Sequence, residues 1–98
     1  YKGSEAMAEC RRTLRTALRR CSSGEFEGLA SVRVMNGGYG AFALLLALSH
    51  RHLKVRCYER DEEKYLTASR LAALPPNLEY IWLHEGVQPN EADKEIIL

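Results

Sequence analysis

Residues Ser31 to Ala43 read Ser-Val-Arg-Val-Met-Asn-Gly-Gly-Tyr-Gly-Ala-Phe-Ala, and an acidic side chain, Glu59, stands 21 positions after Gly38. Gly38, Gly40 and the small Ala43 follow the spacing G-x-G-x-x-G/A. In that pattern the first glycine permits a tight turn and the second a close approach of backbone to ligand. The small third residue lets a helix pack close to a strand. The chemistry is recognition rather than reaction. Unpaired amides and partial positive charge at a helix start attract a polar ligand, and a carboxylate at the end of the next strand accepts hydrogen bonds from both hydroxyls of an adenosine ribose. The candidate binding residues are therefore Asn36, Gly37, Gly38, Tyr39, Gly40 and Glu59. The plainer alternatives are a glycine turn where nothing binds and a solvated Glu59 that pairs with Arg60 or Lys64.

These residues need a strand, a turn, a helix and a second strand to bring them together. The start of the Ser31–Ala43 stretch supplies a short apolar strand, and Phe42–Leu48 is apolar on all sides, as a helix buried against a sheet requires. Lys54–Glu59 reads as the second strand, with Val55 and Cys57 on one side and Tyr58 on the other. Asp61 is placed to cap a third helix running to about Ala73, with Tyr65, Leu66, Leu71 and Leu74 available to the core. Pro75-Pro76-Asn77 stops that helix, and Leu78–Leu83 alternates as a third strand in which Trp82 packs on the sheet face. His84–Asn90 is a loop at the ligand-binding end of the sheet. Its His84 and Glu85 are the acid–base candidates near the pocket, but nothing in the sequence orients the imidazole or supplies a nucleophile, so no catalytic residue is assigned. G-x-S-x-G, H-E-x-x-H and a P-loop lysine are missing from the sequence.

Ahead of these elements, Ser4 to about Arg20 predicts an amphipathic helix with Ser4 as its cap. Met7, Cys10, Leu14, Leu18 and Cys21 recur on one face at spacings of three and four. This helix is expected to lie across the sheet. The alternation α-β-α-β-α-β forces parallel pairing with right-handed crossovers. The expected fold is α/β: a three-layer Rossmann-like half with sheet order 3-2-1, Lys94–Leu98 starting a fourth strand beside the first, and an N-terminal amphipathic helix. Residues 1–98 form one truncated domain, with 1–24 as leading helix and loop and 25–98 as the βαβαβ unit.

Ninety-eight residues, 46% hydrophobic and 28% charged, fit a single small core. The formal net charge of +1 argues against a whole-domain field for nucleic acid. The first twenty residues nevertheless set Lys2, Arg11, Arg12, Arg15, Arg19 and Arg20 against Glu5 and Glu9. The arginine face reads as a solvated surface or, more sharply, as a contact for an anionic membrane surface through Arg11, Arg12, Arg15 and Arg19. Cys10, Cys21 and Cys57 show no C-x-x-C spacing and no accompanying histidine pattern, so no metal site is expected. The odd cysteine count favours a reducing compartment, and no run approaches the roughly 18–20 apolar residues of a membrane span. A soluble, cytoplasmic domain is the expectation. The opening on Tyr1 and the apolar ending Glu95-Ile-Ile-Leu98 read as a piece cut from a larger polypeptide, and an exposed edge at Ile96–Leu98 invites a homodimer.

The glycine stretch and the acidic strand end resemble those of class I S-adenosylmethionine-dependent methyltransferases, whose first motif has the form V-L-D-x-G-x-G-x-G. Gly38 and Gly40 occupy two of its three glycine positions, Asn36 stands at the first and Val34 at the aspartate. The resemblance spans roughly Glu25 to Leu98 and includes Tyr58-Glu-Arg-Asp-Glu-Glu-Lys-Tyr65. It implies S-adenosylmethionine as cofactor, with Gly38 and Gly40 near its methionine part and Glu59 on its ribose. A narrower likeness, in Tyr1-Lys-Gly-Ser-Glu5 and the arginine-rich helix, is to the segment following the acyltransferase domain in some bacterial glycerophospholipid acyltransferase polypeptides. That likeness implies a degenerate, non-catalytic methyltransferase-like module appended to a larger transferase of phospholipid biosynthesis, with the rest of that polypeptide as partner. The histidine and aspartate of acyl transfer, with four residues between them, have no counterpart at His50, His52 or His84. The alternatives are the S-adenosylmethionine-binding half of a methyltransferase, or an NAD(P)-binding module.

Overall fold

A computed structural model of the chain describes residues 2–70 and 74–98, with side chains in the first helix described at Ala8, Arg11, Arg12 and from Leu14 onward. The elements are α1 (Lys2–Cys21), β1 (Ser31–Met35), α2 (Ala41–Ser49), β2 (Lys54–Glu59), α3 (Glu62–Ser69), β3 (Leu78–Trp82) and β4 (Lys94–Ile97). The strands form one parallel sheet in the order β3-β2-β1-β4. The expected α/β Rossmann-like architecture, fourth strand included, is the one observed. With right-handed crossovers, α2 and α3 cover one face. The β3–β4 connection travels back across the sheet and passes over the other.

The helix-covered face holds the core. Val32 and Val34 of β1, Val55 and Cys57 of β2, Leu78 of β3 and Ile96 of β4 pack with Phe42, Ala43, Leu46 and Ala47 of α2. Each large apolar side chain buried there contributes about 1.5–3 kcal/mol. The uniform apolarity of Phe42–Leu48 is explained by this position, because the helix has the sheet beneath it and α1 beside it. On the opposite face the register aligns Glu79, Arg56, Arg33 and Glu95 across β3, β2, β1 and β4. Arg33 pairs with Glu95 and Arg56 with Glu79, so the two central arginines each have an outer acid. Tyr58 was expected simply to face away from Val55 and Cys57, yet it is 1% exposed. Segment 83–93 closes over it, and its hydroxyl accepts from the Asn90 amide at 2.9 Å.

The first helix differs from expectation in three ways. It starts at Lys2, so Ser4 lies within its first turn rather than capping it. It packs on α2 instead of across the sheet. Leu14 and Leu18 are 40% and 54% exposed, while Ala17 and Cys21 are buried. Small residues let two helices approach closely, so the Ala17–Cys21 line takes the contact and the leucines turn to its flank. Met7 and Cys10 of the expected apolar face have side chains outside the described residues. At the other end, α3 ends at Ser69, short of Ala73, and the expected core residue Leu71 and Ala73 itself lie outside the described residues. Leu74 packs against the core, and Asp61 caps α3 as expected, accepting from the Lys64 amide at 3.2 Å.

Asn77 joins three elements through a single amide. Its Nδ2 donates to the carbonyls of Ala47, His50 and Leu53 at 2.9, 3.1 and 2.8 Å, which closes the end of α2 over the start of β3. Asn77→Ala is expected to lower stability by about 2 kcal/mol, since the part-buried carbonyls of Ala47 and Leu53 lose this donor while that of His50 keeps the Leu53 amide. That loss corresponds to a drop of roughly 10 °C in Tm for a domain of this size, and a thermal melt followed by circular dichroism checks it.

Candidate nucleoside-binding site

The turn between β1 and α2 is built by left-handed residues. Asn36, Gly38 and Gly40 have φ of 58°, 61° and 84°. Asparagine is one of the few residues with a side chain that visits this region readily, so Asn36 performs conformationally what a glycine would. The Gly37 amide donates to the Tyr58 carbonyl at 3.0 Å, and the Gly40 amide returns to the Gly37 carbonyl at 3.0 Å. Gly40 is the N-terminal boundary residue of α2, with no side chain to cap the helix, and Tyr39 stands 61% exposed at the tip of the turn.

The structure reassigns the work of the glycines. A Cβ on Gly37, which lies outside the G-x-G spacing, would run into Cys57 Sγ. A Cβ on Gly40 would fall 2.5 Å from Tyr80 Oη, so its missing side chain makes room for β3. The Tyr80 hydroxyl donates to the Gly40 carbonyl at 3.0 Å, pinning the turn from below. At Gly38 a Cβ would meet nothing within 4 Å, which makes this the glycine whose backbone faces open space. Gly38 holds its expected place in the tight turn at φ 61°, while the packing constraint sits at Gly37 and Gly40 and the open backbone at Gly38.

Glu59 does not pair with Arg60 or Lys64. Its Oε1 accepts from the Gly38 amide at 2.8 Å and its Oε2 from the Asp61 amide at 2.7 Å. Charge-assisted bonds from two backbone amides hold the carboxylate in one orientation, and each oxygen keeps a second lone pair for a hydroxyl. The six expected residues are therefore one physical unit: turn and strand end meet through the Gly38–Glu59 bond.

Beside this unit lies a cavity of about 480 Å³, lined by Met35, Arg60 and the run Leu83–Pro89. Met35 precedes Asn36 and Arg60 follows Glu59, so the cavity adjoins the turn and the carboxylate, although neither lines it. His84 and Glu85 do line it, on the loop where the sequence placed them. The His84 ring stacks against Trp82 at 4.5 Å, and Trp82 Nε1 donates to the Arg60 carbonyl at 3.1 Å. Trp82 thereby ties the two loops together instead of simply packing on the sheet face. Sequence reasoning missed Tyr80 and the place of Arg60 in the cavity wall, and it gave Gly37 no packing role against Cys57. For Tyr80 the one available signal was a polar aromatic among apolar residues of a strand.

Burial pushes the Cys57 thiol up to about 12, and the neighbouring Glu59 carboxylate adds to the effect. The Tyr80 hydroxyl is likewise pushed up to about 12, by burial first and Cys57 second. Cys57 is thus an inert packing residue rather than a nucleophile. Among the described residues no cluster of His, Cys, Asp or Glu is arranged to hold a metal ion, and no helix is long and apolar enough to cross a membrane.

Two outcomes follow from this packing. Gly37→Ala is expected to cost about 2 kcal/mol through overpacking against Cys57, and more than Gly38→Ala, which carries only left-handed strain of about 1 kcal/mol; denaturant titration of both ranks them. Cys57 and Tyr80 both ionise later in the folded chain than their ordinary values of 9.0 and 10.0. Folding therefore retains protons that the unfolded chain releases. Their contribution is complete below pH 9.0 and is lost as pH rises toward about 12. Melts across that window should show falling stability, with a shallower fall in Tyr80→Phe.

No family model matches the chain and no curated protein sequence matches it. Solved structures do. The mitomycin 7-O-methyltransferase MmcR aligns over 87% of this chain and 26% of its own, at 22% identity and TM-score 0.73. The StiE O-MT aligns over 97% of this chain and 35% of its own, at 20% identity and TM-score 0.66. Coclaurine N-methyltransferase, bound to N-methylheliamine and SAH, aligns over 90% of this chain and 26% of its own, at 18% identity and TM-score 0.63. The chain spans about a quarter to a third of the length of these neighbours, and at such identities the likeness establishes a methyltransferase-like Rossmann fold. It lends no support to the expected acyltransferase linkage.

Proposed function

We propose that this chain binds an S-adenosyl ligand, S-adenosylmethionine or S-adenosylhomocysteine, across the ends of β1, β2 and β3. The observation that carries the reading is the Gly38–Glu59 hydrogen bond, which fixes a carboxylate beside an open, left-handed backbone turn at the carboxyl edge of a parallel sheet. Ligands of open α/β sheets sit at that edge. With the ribose diol on Glu59, one end of the ligand extends over the turn at Gly38 and the base toward the cavity bounded by Arg60 and His84–Pro89.

The SAH-bound structural neighbour supports this ligand class over NAD(P). So does Gly40, because the space freed by its missing side chain is taken by the Tyr80 ring, leaving Gly38 as the glycine open to a ligand. No residue of the chain is assigned a catalytic role. His84 is held against Trp82, Glu85 is exposed, and Tyr80 and Cys57 remain protonated at neutral pH.

Isothermal titration with S-adenosylhomocysteine should give saturable binding that weakens about ten- to a hundredfold in Glu59→Ala, the range for a lost hydrogen bond to a charged group. Circular dichroism of the variant checks that its fold persists. Unchanged affinity in a folded Glu59→Ala would remove the basis of the reading, and tighter binding of NAD would transfer the site to the dinucleotide class.

A further inference from the structure

The exposed side of α1 is unlike the rest of the surface. From residue 11 to residue 21 the helix carries Arg11, Arg12, Arg15, Arg19 and Arg20 and no acid; its acidic residues, Glu5 and Glu9, come earlier. Arg20 is engaged, donating through Nε to Glu25, which Lys94 also contacts. Arg11, Arg12, Arg15 and Arg19 are not paired with any acid among the described residues, and Arg11, Arg12, Arg15 and Arg19 are all exposed. At 3.6 residues per turn these four fall within an arc of about 100°.

The same arc has an apolar border. Leu18 and Leu14, 54% and 40% exposed, continue the surface beyond Arg11 toward the Ala17–Cys21 line that packs on α2. The leucines are therefore neither core residues nor isolated exposures; they form one edge of a basic face. At the C-terminal end of the helix, His50 Nε2 bonds the Cys21 carbonyl at 2.9 Å and brings exposed Arg51 of the following turn, with exposed Lys54 at the start of β2 just beyond it, to that end. Positive charge thus extends past α1, although the chain as a whole carries a net charge of only +1.

We infer that this face of α1 docks peripherally on an anionic phospholipid bilayer, with Arg11, Arg12, Arg15 and Arg19 on the headgroups and Leu14 and Leu18 dipping into the acyl boundary. Charge attracts the helix, and the leucines distinguish the surface from a site for a wholly polar polyanion. A basic face bordered by leucine is the pattern of helices that lie in the membrane interface, and each arginine near an anionic surface adds attraction that salt screens. Nucleic acid offers the arginines partners but gives two exposed leucines nothing to bury against.

The test is flotation of the purified chain with phosphatidylcholine vesicles that contain or lack phosphatidylserine, alongside a single-stranded oligonucleotide assayed by fluorescence anisotropy. The wild-type chain should float with the serine-containing vesicles only, and less so at high salt. Arg15→Glu with Arg19→Glu should weaken that binding about 25-fold or more, at roughly a fifth of the binding constant retained per arginine lost. Leu18→Ser should weaken vesicle binding several-fold without changing the oligonucleotide signal. All three positions are exposed, and circular dichroism confirms that the variants remain folded. No serine-dependent flotation overturns the inference. So does oligonucleotide binding that exceeds vesicle binding and ignores Leu18→Ser, which would make the face a polyanion site. Self-association abolished by Leu18→Ser, in the absence of flotation, would make it a contact between copies and overturn it equally.

Discussion

The amide of Gly38 donates to the carboxylate of Glu59, and most of what is distinctive in the carboxyl edge of the sheet depends on that bond. β1 and β2 are already paired in parallel, with Met35 opposite Tyr58, so the turn leaving β1 and the end of β2 must emerge side by side. The turn is held in left-handed conformations at Asn36, Gly38 and Gly40 and would otherwise have an amide facing solvent at Gly38. Glu59 supplies the acceptor, and through its second oxygen also orders Asp61, the cap of α3. One carboxylate thus sets the glycine turn, the start of the next helix and the shape of the site between them. A ligand that uses the remaining lone pairs enters a site whose charged group is already oriented, which lowers the ordering cost of binding.

Beneath that edge the packing leaves little freedom. Gly37 lies over Cys57 with no room for a methyl group, and the ring and hydroxyl of Tyr80 occupy the space and the carbonyl that Gly40 leaves available. Three strands therefore determine the path of a turn that belongs to only one of them. The two faces of the sheet are finished differently. Helices α2 and α3 cover an apolar layer on one side, with α1 packed on α2. On the other, the segment between β3 and β4 covers Tyr58, while a row of two arginines between two glutamates neutralises itself across four strands. Adjacent arginines at Arg33 and Arg56 are tolerable because each has an acid on its outer side.

The proposed site is built at the ends of the strands and the basic face on α1, and the two make different demands on the molecule. The carboxylate of Glu59 is held by short hydrogen bonds whose geometry is set by backbone. The α1 surface rests on side chains that extend into solvent, where charge acts over a Debye length of about 8–10 Å and precise placement matters little. A rigid pocket and a diffuse electrostatic face can therefore coexist in a small domain without competing for the same packing.

The alternation of apolar runs with helix signals, together with the turn residues between them, determined the parallel order of the strands, the fourth strand included. These features are local, and period, caps and breakers are written in contiguous residues. That the glycine turn and Glu59 would come together was also legible, because the spacing from Gly38 to Glu59 reflects the length of one βαβ unit. What the sequence could not carry was the use made of each residue. Whether Gly37 or Gly38 bears the packing constraint depends on Cys57 arriving from another strand, and Gly40 is constrained by Tyr80, forty residues away. The face that α1 exposes was decided by Ala17 and Cys21 meeting α2, which turned Leu14 and Leu18 outward although their spacing alone marks them as core. Spacing records which residues share an element and a face; contacts between distant strands and helices, known only once the chain is folded, decide which of those residues is buried and which is left to meet a ligand.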